Sequence, residues 1–211
     1  MKSIEIVCDN LSKIYSGKVI FKNLSLKLTT GNSISILGKN GSGKSTLIKI
    51  LSGIISANKG SITVSEDNIP VPANLCYSRI GLISPYLNLY DELTASENLR
   101  FFCGLRNNSN DGMEEKIEFY LNRVKLFDKR NETVKNYSSG MKQKLKLIFA
   151  VINQPRILYM DEPSTNLDTE GIDIVYETAE KHKKNGILIV ATNDKEDIKL
   201  CESSLNIEDY K

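Results

Sequence analysis

The sequence predicts an α/β protein built on a mostly parallel sheet, and three observations predict it. A short apolar strand, Ser33 to Leu37, runs directly into Gly-rich sequence and then into a stretch of helical spacing, Ser45 to Leu51, stopped at Gly53. Two more compact apolar strands, Ile157 to Met160 and Gly186 to Thr192, flank a helical stretch from Asp168 to Lys183. Strands that alternate with helices pair in parallel, because each helix supplies the crossover that parallel neighbours need.

In chain order, Ile4 to Leu28 carries β-type runs broken at Ser16-Gly17 and near Asn23, which reads as an antiparallel ribbon. The strand, loop and helix of 33–51 follow, then a β stretch at Gly60 to Val64 and a strand from Arg79 to Ser84 that ends at Pro85. Between Thr94 and Lys125 the period becomes helical, interrupted by the polar run Asn107-Asn108-Ser109-Asn110-Asp111-Gly112, which predicts a loop. Another helix is expected from Ser138 to about Asn153. The expected organisation is one domain over 1–211, with a β subdomain and core from 1–90 and 155–211 and a helical subdomain over about 91–154.

A chain of 211 residues fits one hydrophobic core with an attached subdomain. Hydrophobic residues at 40% and charged residues at 26% exclude global disorder. A net charge of +2 is too mild for a surface that coats nucleic acid, so no nucleic-acid partner is expected. Apolar runs such as Leu147 to Ile152 fall far short of the ~20 residues that cross a bilayer as a helix. Glu5 stands where a secretion signal needs an unbroken apolar stretch, which predicts a cytoplasmic home. Cys8, Cys76, Cys103 and Cys201 lack the paired spacing of a zinc or redox site, and four reduced, mostly buried thiols are expected.

Chemistry enters at Gly38-Lys39-Asn40-Gly41-Ser42-Gly43-Lys44-Ser45, which fits the Walker A pattern between an apolar strand and an amphipathic helix. Its glycines let the backbone wrap an anion, so that the N–H groups of Asn40 to Thr46 and the positive end of the following helix point at phosphate oxygens. Lys44 then reaches the β- and γ-phosphates, the Ser45 hydroxyl ligates Mg²⁺, and Thr46 offers a hydroxyl near the α-phosphate. Further on, Arg156-Ile157-Leu158-Tyr159-Met160-Asp161-Glu162-Pro163 is an apolar strand that delivers two adjacent carboxylates at its C-terminal end. Asp161 suits the Mg²⁺ shell, and Glu162 suits a base that orients the water attacking the γ-phosphate. Standing alone, the pair would read as a solvated acidic turn.

It does not stand alone. Tyr137-Ser138-Ser139-Gly140-Met141-Lys142-Gln143-Lys144 resembles a variant of the signature motif of ABC ATPases, commonly written LSGGQ, and lies between the two Walker elements. Over essentially the whole chain the order of motifs is similar to the nucleotide-binding domain of that family. The resemblance implies a RecA-like P-loop NTPase core with an antiparallel β subdomain and a helical subdomain, using ATP and Mg²⁺. It also implies a second cassette as partner, a homodimer in which Ser138, Ser139 and Gly140 of one copy face the γ-phosphate held by the other, and a separate integral-membrane subunit that holds the pair at the inner face of the cell membrane. Ser164-Thr165-Asn166-Leu167-Asp168 resembles the family's D-loop, and Tyr15 stands where an aromatic residue stacks on adenine; as an alternative, Tyr15 is an ordinary strand residue.

Two positions depart from the family. Pro85 occupies the place of the Q-loop glutamine, and Asn193 that of the switch histidine, so Asn193 can donate to the γ-phosphate but cannot carry the charge or shuttle the proton of an imidazole. Slow hydrolysis is expected. The single histidine, His182, reads as solvated surface on a charged helix. Tyr86, Leu87, Leu89 and Tyr90 follow the Q-loop and suit either a docking groove or packing of the helical subdomain. A transporter motor is the leading reading, with a soluble ABC ATPase of assembly or translation, or a weakly hydrolysing interaction module, as alternatives. The segment from Leu89 to Leu99 is similar to small exporter cassettes, including the haem-exporter ATPase of cytochrome c maturation, which favours export.

Overall fold

The computed structural model describes residues 3–106 and 112–211. Of the predicted loop at 107–112, all but Gly112 lies outside the described residues. The elements in chain order are β1 (Ile4–Tyr15), β2 (Lys18–Thr29), β3 (Ser33–Leu37), α1 (Lys44–Leu51), β4 (Lys59–Glu66), β5 (Ile69–Pro70), β6 (Ile80–Ile83), α2 (Ala95–Arg106), α3 (Met113–Arg123), α4 (Ser139–Val151), β7 (Ile157–Asp161), α5 (Thr169–Lys183), β8 (Ile187–Ala191), α6 (Lys195–Ile198) and β9 (Ser203–Asn206).

The strands form two sheets. An antiparallel sheet has the order β2-β1-β4-β5, and a five-stranded sheet has the order β6-β7-β8-β3-β9 with every pair parallel. Alternation in β1 buries Ile4, Ile6 and Cys8 on one face, as a half-covered strand requires. In contrast, β7 and β8 are buried along their whole length, and β8 and the first four residues of β7 read as unbroken apolar runs, because both faces of a central parallel strand are covered. Ile157, Tyr159, Ile187 and Ile189 face the core that the antiparallel sheet and α1 close. Leu158, Met160, Leu188 and Val190 face the opposite way, against Leu147 and Ala150 of α4 and Val175 and Ala179 of α5.

A separate apolar cluster holds the helical layer together through Leu99, Ile117, Leu121, Leu145 and Ile148. Helix α4 serves both clusters: Leu145 and Ile148 turn to the helical layer while Leu147 and Ala150 turn to the sheet. The parallel core, the antiparallel ribbon and the helical layer agree with the fold read from the sequence. Strand β9 was not anticipated, because its Ser-Ser-Leu-Asn composition carries little β signal; it pairs with β3 at the sheet edge.

One expectation is corrected. His182 is not solvated surface: it is largely buried at the C-terminal end of α5, with Nε2 3.1 Å from the carbonyl of Ile187 at the start of β8. Burial pushes its pKa down to about 4, with the Arg156 charge acting in the same direction. The four cysteines are free, with Cys8 and Cys103 buried. Among the described residues, no helix is long and apolar enough to cross a membrane.

Candidate functional site

Register places the site. Ala191, the last residue of β8, pairs with Ile36 of β3 on one side and Asp161 of β7 on the other. The loop that follows β3, the residue that follows β8 and the acid that follows β7 therefore leave the sheet at one level, at the C-terminal edge where ligands of such sheets bind. Two backbone bonds tie that level together, Glu162 N–H to Ala191 O at 2.8 Å and Thr192 N–H to Ile36 O at 3.3 Å.

From β3 the chain wraps through 38–43 into α1. Gly43 has φ 115°, a left-handed conformation, and a Cβ there would collide with Cγ2 of Ile20 on β2, so only glycine fits this turn. The first turn of α1 begins at Lys44, and its N–H groups have no intrahelical acceptor. Asn40, Gly41, Gly43, Lys44, Ser45 and Thr46 line one side of a cavity of about 360 Å³, the lower range for a small-ligand site. Ile20, Pro85, Tyr86 and Glu162 close the other sides.

Lys44 is buried, and its Nζ donates to Gly38 O at 2.8 Å and to Asn193 Oδ1 at 3.2 Å, with Glu162 Oε1 at 3.9 Å. Asn193 in turn donates from Nδ2 to Asn40 Oδ1 at 2.6 Å, so its carboxamide bridges the lysine and the phosphate-type loop. Ser45 Oγ donates to Asp161 Oδ1 at 3.1 Å. Asp161 is almost wholly buried and its Oδ2 has no hydrogen-bond partner among the described residues. Burial raises its pKa, and the Ser45 bond and the Lys44 charge oppose that rise. A buried carboxylate oxygen with no donor is costly unless a cation serves it. With the Ser45 hydroxyl beside it, the pair offers the hard oxygen ligands that suit Mg²⁺ bound together with phosphate oxygens.

Glu162 sits at φ 49°, a left-handed conformation that costs a non-glycine residue of order 1 kcal/mol and that persists where surrounding structure fixes it. Burial raises the pKa of its carboxyl; Lys44 and a hydrogen bond from Thr192 lower it, and Asp161 and Asp197 raise it. Such a group is disposed to accept a proton, provided it lies beside the reacting water.

Other predicted residues lie elsewhere. Ser138 caps α4, its Oγ accepting from Met141 N–H at 3.2 Å, and Ser139 and Gly140 open the helix. None of the three lines the cavity of Lys44. Gly140 faces the 164–168 loop, where a Cβ would stand 2.9 Å from Asn166 O. Gln143 Nε2 donates to Pro163 O at 3.2 Å and Lys144 pairs with Asp168 at 3.2 Å, so the start of α4 is fastened to that loop. Tyr15 is exposed at the end of β1 with Lys13 Nζ 4.7 Å over its ring, and it does not line the cavity. The aromatic residue that does is Tyr86, whose ring carries Lys49 Nζ at 3.8 Å. Ile20, Thr192 and Asp197 are the site residues that the sequence reading missed. An apolar β2 residue and a hydroxyl after β8 carry no local motif.

Comparison with known proteins follows the same line. The profile of the family described as ABC transporter matches residues 21–165. A Nod factor export ATP-binding protein I from Sinorhizobium fredii is 34% identical over 207 residues, which cover 97% of this chain and 60% of that protein. The linearmycin resistance ATP-binding protein LnrL of Bacillus subtilis is 30% identical, over 88% of this chain and 60% of its own length. ABC transporter A family member 8 of Arabidopsis thaliana is 32% identical over 93% of this chain, which spans only 23% of that protein. Among solved structures, a dimeric ATP-binding cassette in a post-hydrolysis state bound to ADP and Pi superposes with a TM-score of 0.85 at 24% identity, over 96% of this chain and 94% of that one. That likeness establishes the fold.

Proposed function

The chain belongs to the ABC transporter family, and from that membership we propose that it is an ATP-hydrolysing cassette that drives a separate membrane subunit. One observation carries the chemical part: Lys44, Ser45, Asp161 and Glu162 converge at one sheet edge, with Ser45 3.1 Å from Asp161 and Lys44 3.9 Å from Glu162. The 38–46 loop binds the triphosphate through its N–H groups, and Lys44 exchanges its contacts with Gly38 O and Asn193 for phosphate oxygens. Ser45 and Asp161 would hold Mg²⁺, which when bound would supply charge neutralisation at the phosphates. Glu162 accepts the proton of the attacking water, and Asn193 Nδ2, now bonded to Asn40, donates to the terminal phosphate.

No residue of 138–140 lines the cavity, which supports a second cassette as the element that brings them to the nucleotide. Ser138, Ser139 and Gly140 of that copy present the N-terminal end of α4 to the terminal phosphate. For the membrane subunit, the supporting feature is an apolar cleft of about 250 Å³ between sheet and helical layer, lined by Ile54, Tyr77, Leu82, Leu87, Phe102 and Phe149. Export is the direction favoured, since the names of two bacterial relatives, Nod factor export and linearmycin resistance, describe outward movement or protection. Location on the cytoplasmic face follows from that role.

Pro85 and Asn193 favour a second reading, a cassette that binds ATP and dimerises but turns over weakly. The two are separated by Mg²⁺-dependent phosphate release from the purified chain. Glu162→Gln is expected to lower the rate by about a hundredfold or more. A wild-type rate no higher than that of the variant would leave the weakly hydrolysing module as the function.

A further inference from the structure

We infer that Thr192 is a positioning residue for Glu162, and that the buried carboxylate of Asp197 makes the Thr192 hydroxyl answer to the loop that follows β7. The inference rests on Glu162 as the base. Thr192 is fully buried beyond the end of β8, and its Oγ1 accepts from Asp194 N–H at 3.0 Å. Its single proton then has two carboxylates in reach, Asp197 Oδ2 at 3.0 Å and Glu162 Oε2 at 3.3 Å. One hydroxyl proton cannot satisfy both. With Oε2 of Glu162 tied to Thr192, Oε1 is the oxygen turned toward Lys44.

Asp197, on α6, has no exposed surface and gathers two more hydroxyls, Ser164 Oγ on Oδ2 at 2.9 Å and Tyr176 OH on Oδ1 at 3.0 Å. Packing alone gives no reason for a carboxylate here, because an apolar side chain fills the same space without the desolvation cost. Placement gives one. Ser164 lies two residues beyond Glu162 and donates to the same Asp197 oxygen that Thr192 addresses, so the two hydroxyls share one acceptor and each bond weakens the other. While Ser164 occupies Oδ2, the hold of Asp197 on Thr192 is weaker and the proton is available to Glu162. A loop movement that withdraws Ser164 draws Thr192 onto Asp197, and Glu162 loses the bond that fixes its orientation. Position of the 164–168 loop is thereby converted into orientation of the base.

The test is steady-state Mg-ATP hydrolysis by the full chain. Thr192→Val keeps the shape and removes the hydroxyl; kcat is expected to fall about tenfold, while KM and the thermal midpoint stay near wild type. Thr192→Ser restores the hydroxyl and is expected to recover most of kcat. Ser164→Ala is expected to lower kcat in the same sense, and adding it to Thr192→Val to cost nothing further, since both act through one bond. Wild-type kcat in Thr192→Val overturns the inference, as does an equal loss in Thr192→Ser, which would assign the effect to packing. Fully additive losses in the double variant, or wild-type kcat in Ser164→Ala, sever the link to the loop; Ser164→Ala decides the matter if Thr192→Val fails to fold. Glu162→Gln keeps the two readings apart: if it hydrolyses like wild type the base assignment falls, and if it is inactive while Thr192→Val keeps wild-type kcat, only the present inference does.

Discussion

Between Lys44 and Asn40 lies the Asn193 carboxamide, accepting from the one at 3.2 Å and donating to the other at 2.6 Å. An amide in that place has donors and an acceptor but no titratable proton, whereas an imidazole can carry a charge or pass a proton on. Asn193→His is therefore expected to raise kcat by about tenfold, with phosphate release from the two proteins compared at saturating Mg-ATP. An unchanged rate would mean that Asn193 acts only as a hydrogen-bond donor. Lys44 and Ser45 are legible in the sequence because they belong to an unbroken motif whose chemistry is local, and Asp161 and Glu162 become legible once the signature-like segment stands before them. Thr192 and Asp197 are not, because their meaning depends on Ala191 pairing with both Ile36 and Asp161, a relation between strands far apart in the chain. Tyr86 is legible as an exposed aromatic but not as a wall of the cavity, for the same reason.

Helix α4 is the element that joins the signature-like segment to everything else. Its N-terminal turn is fastened to the loop after β7 by Gln143 and Lys144, its apolar positions serve two clusters, and Lys146 Nζ donates to Pro85 O at 3.1 Å and Ser84 O at 3.3 Å. The carbonyl of Pro85 thus ties its loop to α4, while its ring, though it lines the cavity, offers no polar group to a metal ion or water. Elements with strong period or unbroken apolar runs are readable from sequence alone; β9 is not, since its pairing comes from β3 rather than from its own residues. The junction of α5 and β8 gives an element-scale prediction. The folded pKa of His182, about 4, lies below its ordinary 6.5, so as pH falls the unfolded chain takes up the proton first. Its contribution is intact above pH 6.5 and is lost progressively toward pH 4, by about 3 kcal/mol. Urea midpoints at pH 7 and pH 4.5 should therefore fall less in His182→Gln than in wild type, and equal declines would place the acid sensitivity in the carboxylates.

At the scale of the molecule, the phosphate-type loop and the start of α4 belong to different surfaces: residues 138–140 do not line the cavity of Lys44, and Gly140 packs instead on Asn166 of its own chain. A site completed by a second copy has a consequence that no single-chain site shares. In the symmetric pair proposed above each nucleotide would be gripped by the loop of one copy and the α4 start of the other, so Lys44→Ala would spoil the site to which a chain gives its loop, and Gly140→Asp the site to which it gives its helix. Each variant alone has two defective sites and no activity. Mixed, half of the pairs formed at random contain one of each, and such a pair has one site with both defects and one with none. Activity of the mixture is expected to return to about a quarter of wild type. A mixture as inactive as its components would mean that Lys44 and Gly140 serve the same site within one chain, and the pairing of cassettes would have to be given up.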